Sequence, residues 1–301
     1  KEKVAICGYH GWHDWYLSAN HNTTDNLSGH LISGLSAEGV PRKLKNTVFP
    51  FQYNNFNELL EIVSQNDIGV IKMEVVRNYG PENDFLQKVR DLATKKGIVL
   101  VFDECTSGFR ETNGGIYQKY GVEPDMIMYG KTLGNGYAIT AVLGKEEVME
   151  AAQKTFISST FWTERIGPTA ALKALEIMKE MKSWEIITDQ GNKVRKGWEK
   201  LATKFKINTQ ISGIPALSSL TFSSTDHLKY KTLITQEMLK KKYLAGTLFY
   251  ASTAHTDEII NNYITELEPI FYTISECEKE NLNIDEILEG PLAHSGFKRL
   301  N

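Results

Sequence analysis

Two stretches decide the fold: "IVLVFDE" at residues 98–104 and "DMIMYGKTLGNG" at residues 125–136. Both contain short runs rich in Val, Ile, Leu or Met, a composition that suits strands buried on both faces. The first ends in Asp103 and Glu104. The second passes directly into Gly130, Lys131 and Thr132, with Gly134 and Gly136 beyond. Working outward, Val4–Cys7, Ile68–Glu74 and Ala138–Leu143 have the same strand character. Phe56–Gln65 and Pro81–Lys96 read as helices, with Pro81 in the first turn and Gly97 as the C-terminal cap. Strands alternating with helices predict an α/β fold built on a mostly parallel sheet. In such sheets ligands collect outside the carboxyl ends of the strands. Asp103, Glu104 and Lys131 all fall at such ends.

A lysine among glycines has two chemical readings. A phosphate-binding loop needs glycine five residues before its Gly-Lys-Thr, so that successive backbone N–H groups wrap the phosphates. Asp125 occupies that place, and its charge would repel them. The acidic strand also precedes the lysine, the reverse of the usual order of nucleotide-binding motifs. The other reading makes Lys131 the amine that forms an imine with a carbonyl cofactor. Pyridoxal phosphate requires such a lysine for its aldehyde and an anion facing its pyridine nitrogen, so that the ring draws electrons from the substrate. Asp103, one strand-helix-strand unit earlier, supplies that anion.

Composition narrows the remaining classes. The chain has 301 residues and a formal net charge of -3, which gives no broad electrostatic attraction for nucleic acid or anionic membrane. Cys7, Cys105 and Cys277 lie far apart without CxxC spacing, which suggests reduced thiols in a cytoplasmic setting. No apolar run approaches membrane-spanning length. His10, His13 and His21 invite a metal reading, but no cysteine or second histidine pair completes a site, and none is expected. Arg110 and Arg165 either hold a substrate carboxylate or make structural ion pairs. A long helical pattern runs from Pro168 to Phe205, bent near Ser183. Beyond it, strands at Ala216–Ser223 and Thr247–Ala251 mix with helices at Tyr230–Lys242 and Asp257–Lys279. The expected domains are a larger one over residues 1–185 and a small α+β domain over 186–301.

Four ordered stretches, "GYHGWHDWY" (8–16), "FDECTSGFR" (102–110), "YGVEPDMIMYGKTLGNG" (120–136) and "SSTFWTE" (158–164), resemble the class III (ω-type) aminotransferases. These are pyridoxal phosphate enzymes of fold type I, and the likeness is to the branch near glutamate-1-semialdehyde 2,1-aminomutase. "FYASTAHTDEII" (249–260) is similar to that family's small domain. The resemblance implies that Lys131 forms the Schiff base and then moves the proton between the substrate carbon and the cofactor. It implies that Asp103 pairs with the pyridine nitrogen, that Tyr9 stacks on the ring with His10 beside it, and that Cys105 stands where the family has an apolar residue on the opposite face. Thr160 would donate to the cofactor phosphate across the interface of a homodimer. Glu74 matches an acid ending the preceding strand, with Val75 where the family continues in proline. The family's small-residue phosphate loop lies upstream of its tyrosine motif, so the N-terminal part of the fold is expected to be missing, with Lys1 inside a domain. The implied activity is transfer of an amino group to an aldehyde or ketone. The alternatives are the semialdehyde aminomutase reaction and a non-catalytic protein that keeps the fold for binding.

Overall fold

The computed structural model describes residues 1–294 except 22, 24 and 31–33. These residues group into two compact units, 1–181 and 182–294.

The first unit is built on a six-stranded sheet with strand order β2-β1-β3-β4-β5-β6. In chain order its elements are β1 (Lys3–Cys7), β2 (Val48–Pro50), α1 (Phe56–Gln65), β3 (Ile68–Met73), α2 (Phe85–Lys96), β4 (Val99–Glu104), β5 (Met126–Tyr129), β6 (Ala141–Gly144) and α3 (Ile166–Met181). The first five strands in sheet order pair in parallel, as their continuous apolar content predicts. The sixth, β6, runs antiparallel to β5 and begins three residues later than its sequence suggests. Ala5, Ile6, Ile71, Met73, Leu100 and Phe102 are completely buried in β1, β3 and β4, three of the four inner strands. Asn55 caps α1 by accepting from the Glu58 N–H. Gly97 ends α2 at φ 59°, the left-handed conformation that costs glycine little.

Two helix boundaries correct the sequence reading. The helix expected from Pro81 begins at Phe85, because Asn83 and Asp84 hold positive φ of 50° and 58° and interrupt helical geometry before it. The single helix expected over Pro168–Phe205 is two helices. Lys182, at φ 49°, separates α3 from α4 (Ser183–Phe205). Two short strands, β2 and β7, had too few residues to show periodicity.

The second unit continues from α4 with β7 (Thr209–Ser212), β8 (Leu217–Phe222), α5 (His227–Lys240), β9 (Leu248–Tyr250) and α6 (Asp257–Glu278). Its three strands form an antiparallel sheet, β7-β8-β9. Trp198, Leu220, Ile234, Leu267 and Phe271 form its apolar core, and the buried indole N–H of Trp198 donates to Tyr263 at 3.0 Å.

Candidate active site

Strand alternation sorts the two acids at the end of β4. Glu104 accepts from the Ser107 hydroxyl at 2.5 Å and from the Tyr117 N–H at 2.9 Å, so it anchors the following loop. Burial pushes its carboxyl above the usual range. Asp103 faces the other way, into a set of polar groups delivered by three strands. Its Oδ2 lies 3.1 Å from Lys72 Nζ of β3 and 3.0 Å from His10 Nδ1, which follows β1. Its Oδ1 accepts from the Cys105 N–H at 3.2 Å. Burial alone would raise this carboxyl; the hydrogen bond from His10 and the charge of Lys72 outweigh it and hold Asp103 well below the usual carboxylate range. His10 is pushed down by burial, so a neutral imidazole donates through Nδ1.

The register of β4 and β5 brings the lysine to this acid. Asp103 is level with Met128 and Glu104 with Tyr129, so the chain leaving β5 passes the loop leaving β4. A Cβ at Gly130 would sit 3.2 Å from Cys105 Sγ, which measures how closely the two loops approach. Lys131 follows at φ 29°, a strained conformation for a residue with a side chain. Its exposed Nζ donates to Thr106 Oγ1 at 2.9 Å. The Cys105 thiol is pushed up to about 11 by burial, with Asp103 adding to the shift.

Tyr9 and Glu74 lie on the β1–β3 side. The Tyr9 N–H donates to Glu74 Oε2 at 2.9 Å, and Arg77 Nη1 lies 3.3 Å from the same oxygen. Burial pushes the Glu74 carboxyl up despite these partners. Gly8 is needed here: at φ 112° it allows Glu74 to approach so closely that a Cβ would meet Oε2 at 2.4 Å. The Arg77 guanidinium stands 5.8 Å from the Tyr9 ring centroid. Beside Tyr9 opens a cavity of about 530 Å³ lined in part by Trp12, His30, Glu74 and Arg77.

The structure thus gathers Asp103, His10, Cys105 and Lys131 around adjoining strand ends and links Tyr9 to Glu74. It does not bring Thr160 to them: that residue lies in an exposed turn, and its side chain makes no hydrogen bond among the described residues. Arg110 Nε donates to the Thr106 carbonyl at 2.7 Å, and Arg165 lines an open cavity with Gly134 and Tyr137. His13 stacks on Trp15, and His21 contacts the Val40 carbonyl. Among the described residues, no group of three metal-ligating side chains converges. Sequence reasoning missed Lys72, Arg77 and Thr106. For Lys72 a signal existed, a charged residue in the apolar run "IGVIKM" of a central strand.

A buried carboxylate kept ionised, an accessible amine at the neighbouring strand end and a small side chain between them suit a planar heterocyclic aldehyde with a basic nitrogen. Fold and site together define a protein of the pyridoxal phosphate type. A family model described as aminotransferase class-III matches residues 6–275, and the chain belongs to that family. Pyridoxal 5'-phosphate is the cofactor to which that family points.

Among curated relatives, the chain is 32% identical over 289 residues to a 3-aminobutyryl-CoA aminotransferase of Cloacimonas acidaminovorans, covering 89% of this chain and 66% of that protein. It is 30% identical over 277 residues to a glutamate-1-semialdehyde 2,1-aminomutase of Nitrosopumilus maritimus, covering 84% and 64%. The chain therefore spans slightly under two thirds of these relatives' length. Among solved structures, the FumI protein of Sphingopyxis sp. MTA144 superposes with a TM-score of 0.80 at 21% identity, covering 95% of this chain and 68% of that one. An omega-transaminase from Sphaerobacter thermophilus gives 0.78 at 18% identity, covering 92% and 69%. At these identities the structural likeness establishes the fold. Among the described residues, no helix is long and apolar enough to cross a membrane.

Proposed function

We propose that the protein is a pyridoxal-phosphate-dependent aminotransferase that moves an amino group from an amino donor, such as glutamate, to an aldehyde or ketone. The observation that carries this reading is the β4–β5 register, which sets the Lys131 loop against Asp103 and Cys105. When bound, the cofactor supplies an electron sink that acidifies the carbon beside an amine. Lys131 Nζ would hold the aldehyde and, once displaced by substrate, carry the proton away from that carbon and return it. Asp103 would accept a hydrogen bond from the ring nitrogen, with His10 fixing the carboxylate. Tyr9 would stack on one face of the ring and Cys105 pack against the other, while Glu74 holds the Tyr9 backbone.

A homodimer completes the proposal, with Thr160 reaching a cofactor phosphate across the subunit interface. Its support is the apolar surface of the segment that carries that turn: Phe156 is 97% exposed, Ile157 58%, Phe161 75% and Trp162 68%. The unpaired cysteines suit the reducing cytoplasm. On this reading, the full-length protein reconstituted with cofactor absorbs near the visible edge and forms the aminated cofactor when given amino donor. Lys131→Ala is expected to lose both signals. A wild-type protein that stays colourless after reconstitution would favour the non-catalytic alternative.

The relatives named as aminomutases support a second reading, internal transfer of an amino group within glutamate-1-semialdehyde. Rapid formation of 5-aminolevulinate from that compound without added donor would select it over the aminotransferase.

A further inference from the structure

Lys72 is a lysine in a place where a central parallel strand calls for an apolar side chain. Its neighbours Ile71 and Met73 are completely buried, and Lys72 itself is only 9% exposed. Burying an ammonium is costly unless a partner stands close. The partner here is the Oδ2 of Asp103 at 3.1 Å, and the Trp15 ring lies 5.5 Å from the same nitrogen. Lys72 is level with Val101 on β4, so alternation puts it on the face that carries Asp103, one diagonal step away. Nothing in the aminotransferase reading requires a second lysine, yet this one is joined to the acid on which that reading depends.

We propose that Lys72 is a built-in counter-ion that competes with the cofactor's ring nitrogen for the charge of Asp103. The inference rests on the assignment of this site to pyridoxal phosphate. Lys72 and His10 both engage Oδ2, whereas Oδ1 accepts one backbone hydrogen bond, from the Cys105 N–H, so Oδ1 is the oxygen with a lone pair to offer the ring nitrogen. Two consequences follow from charge alone. Before cofactor binds, Lys72 neutralises a carboxylate that would otherwise be buried without a cation. After it binds, a positive ring nitrogen shares its anion with a second cation, which lowers its affinity for a proton. The other titratable groups around Asp103 are Tyr9, His10, Glu74, Glu104, Cys105 and Lys131. Lys131 is the only other lysine in this set; it follows the neighbouring strand β5, and its Nζ is held by Thr106 Oγ1.

The test uses the full-length protein reconstituted with ring-15N pyridoxal phosphate. The pH at which the bound ring nitrogen loses its proton is read from its 15N chemical shift in wild type, Lys72→Met and Lys72→Arg. Lys72→Met is expected to hold the proton to higher pH, by about one unit or tenfold in proton affinity, the usual size for removing a nearby like charge. Lys72→Arg, which keeps the charge, is expected to stay near wild type. Saturating cofactor should also raise the melting temperature of Lys72→Met by more than that of wild type, because only the variant lacks a cation for Asp103 until the ring arrives. If Lys72→Met does not fold, Lys72→Gln removes the charge with a polar side chain and gives the same comparison. An unchanged titration in the neutral variant overturns the proposal, since a merely structural lysine would leave the ring nitrogen alone. Failure of wild type itself to take up cofactor overturns the site assignment and this inference with it, and is told apart by needing no variant.

Discussion

At the scale of single residues, the site is governed by how buried charges are kept ionised or neutral. Asp103 is ionised because Lys72 and His10 share its oxygen; removing either member of a buried pair alone typically costs about 3–5 kcal/mol. His30 shows the opposite outcome. Its Nδ1 accepts the Gly8 N–H at 3.0 Å, so Nε2 carries the proton of a neutral ring. Burial, with the Arg77 charge adding to it, lowers its pKa to about 4. The folded value lies below the unfolded value of about 6.5. The unfolded chain therefore binds the extra proton first, and stability is full above about pH 6.5 and falls as the pH drops toward 4. The loss from this one ring is expected to reach about 3 kcal/mol across that window. Urea unfolding at pH 7 and pH 4.5 should show a smaller difference in His30→Asn, which keeps an acceptor for Gly8 and cannot titrate. An identical difference in the variant would place the pH sensitivity elsewhere.

Elements depend on a few residues at their ends, and those residues set what each strand presents. Helix α2 closes with the Gly97 N–H bonding back to the helix and Gly97 in left-handed geometry, and its Cβ position is open space. Gly97→Ala should therefore lose about 1 kcal/mol through backbone strain without a clash, read as a lower urea midpoint with an unchanged slope. A loss of several kcal/mol would mean that the turn into β4 had moved. The helix and strand cores were legible from periodicity and from Gly97. The start of α2 was not, because positive φ at Asn83 and Asp84 is imposed by the surrounding fold and leaves no mark in polarity. The antiparallel direction of β6 was equally hidden, since an apolar tetrapeptide reads the same either way.

At the scale of the whole molecule, the exposed aromatic turn near Thr160 sets the assembly expectation. An apolar surface of this kind is seldom left to water. In the full-length protein, Phe161→Ser combined with Trp162→Ser is expected to shift a dimer toward monomer in sedimentation velocity and to weaken cofactor retention. A double variant that stays dimeric and fully loaded would place the interface away from this turn and Thr160 outside the cofactor site.

By itself the sequence determined that a buried strand ends in Asp103 and that a glycine-flanked lysine leaves the next strand of the sheet. Those features are local, because composition and short-range alternation specify strands and the faces of their side chains. Only the tertiary structure decided that Lys72 and His10 meet on one oxygen of Asp103, that Glu104 turns away, and that Arg77 shares Glu74 with the Tyr9 backbone. These meetings depend on strand order and register between segments far apart in the chain, and the free energy that fixes them belongs to the packed sheet as a whole.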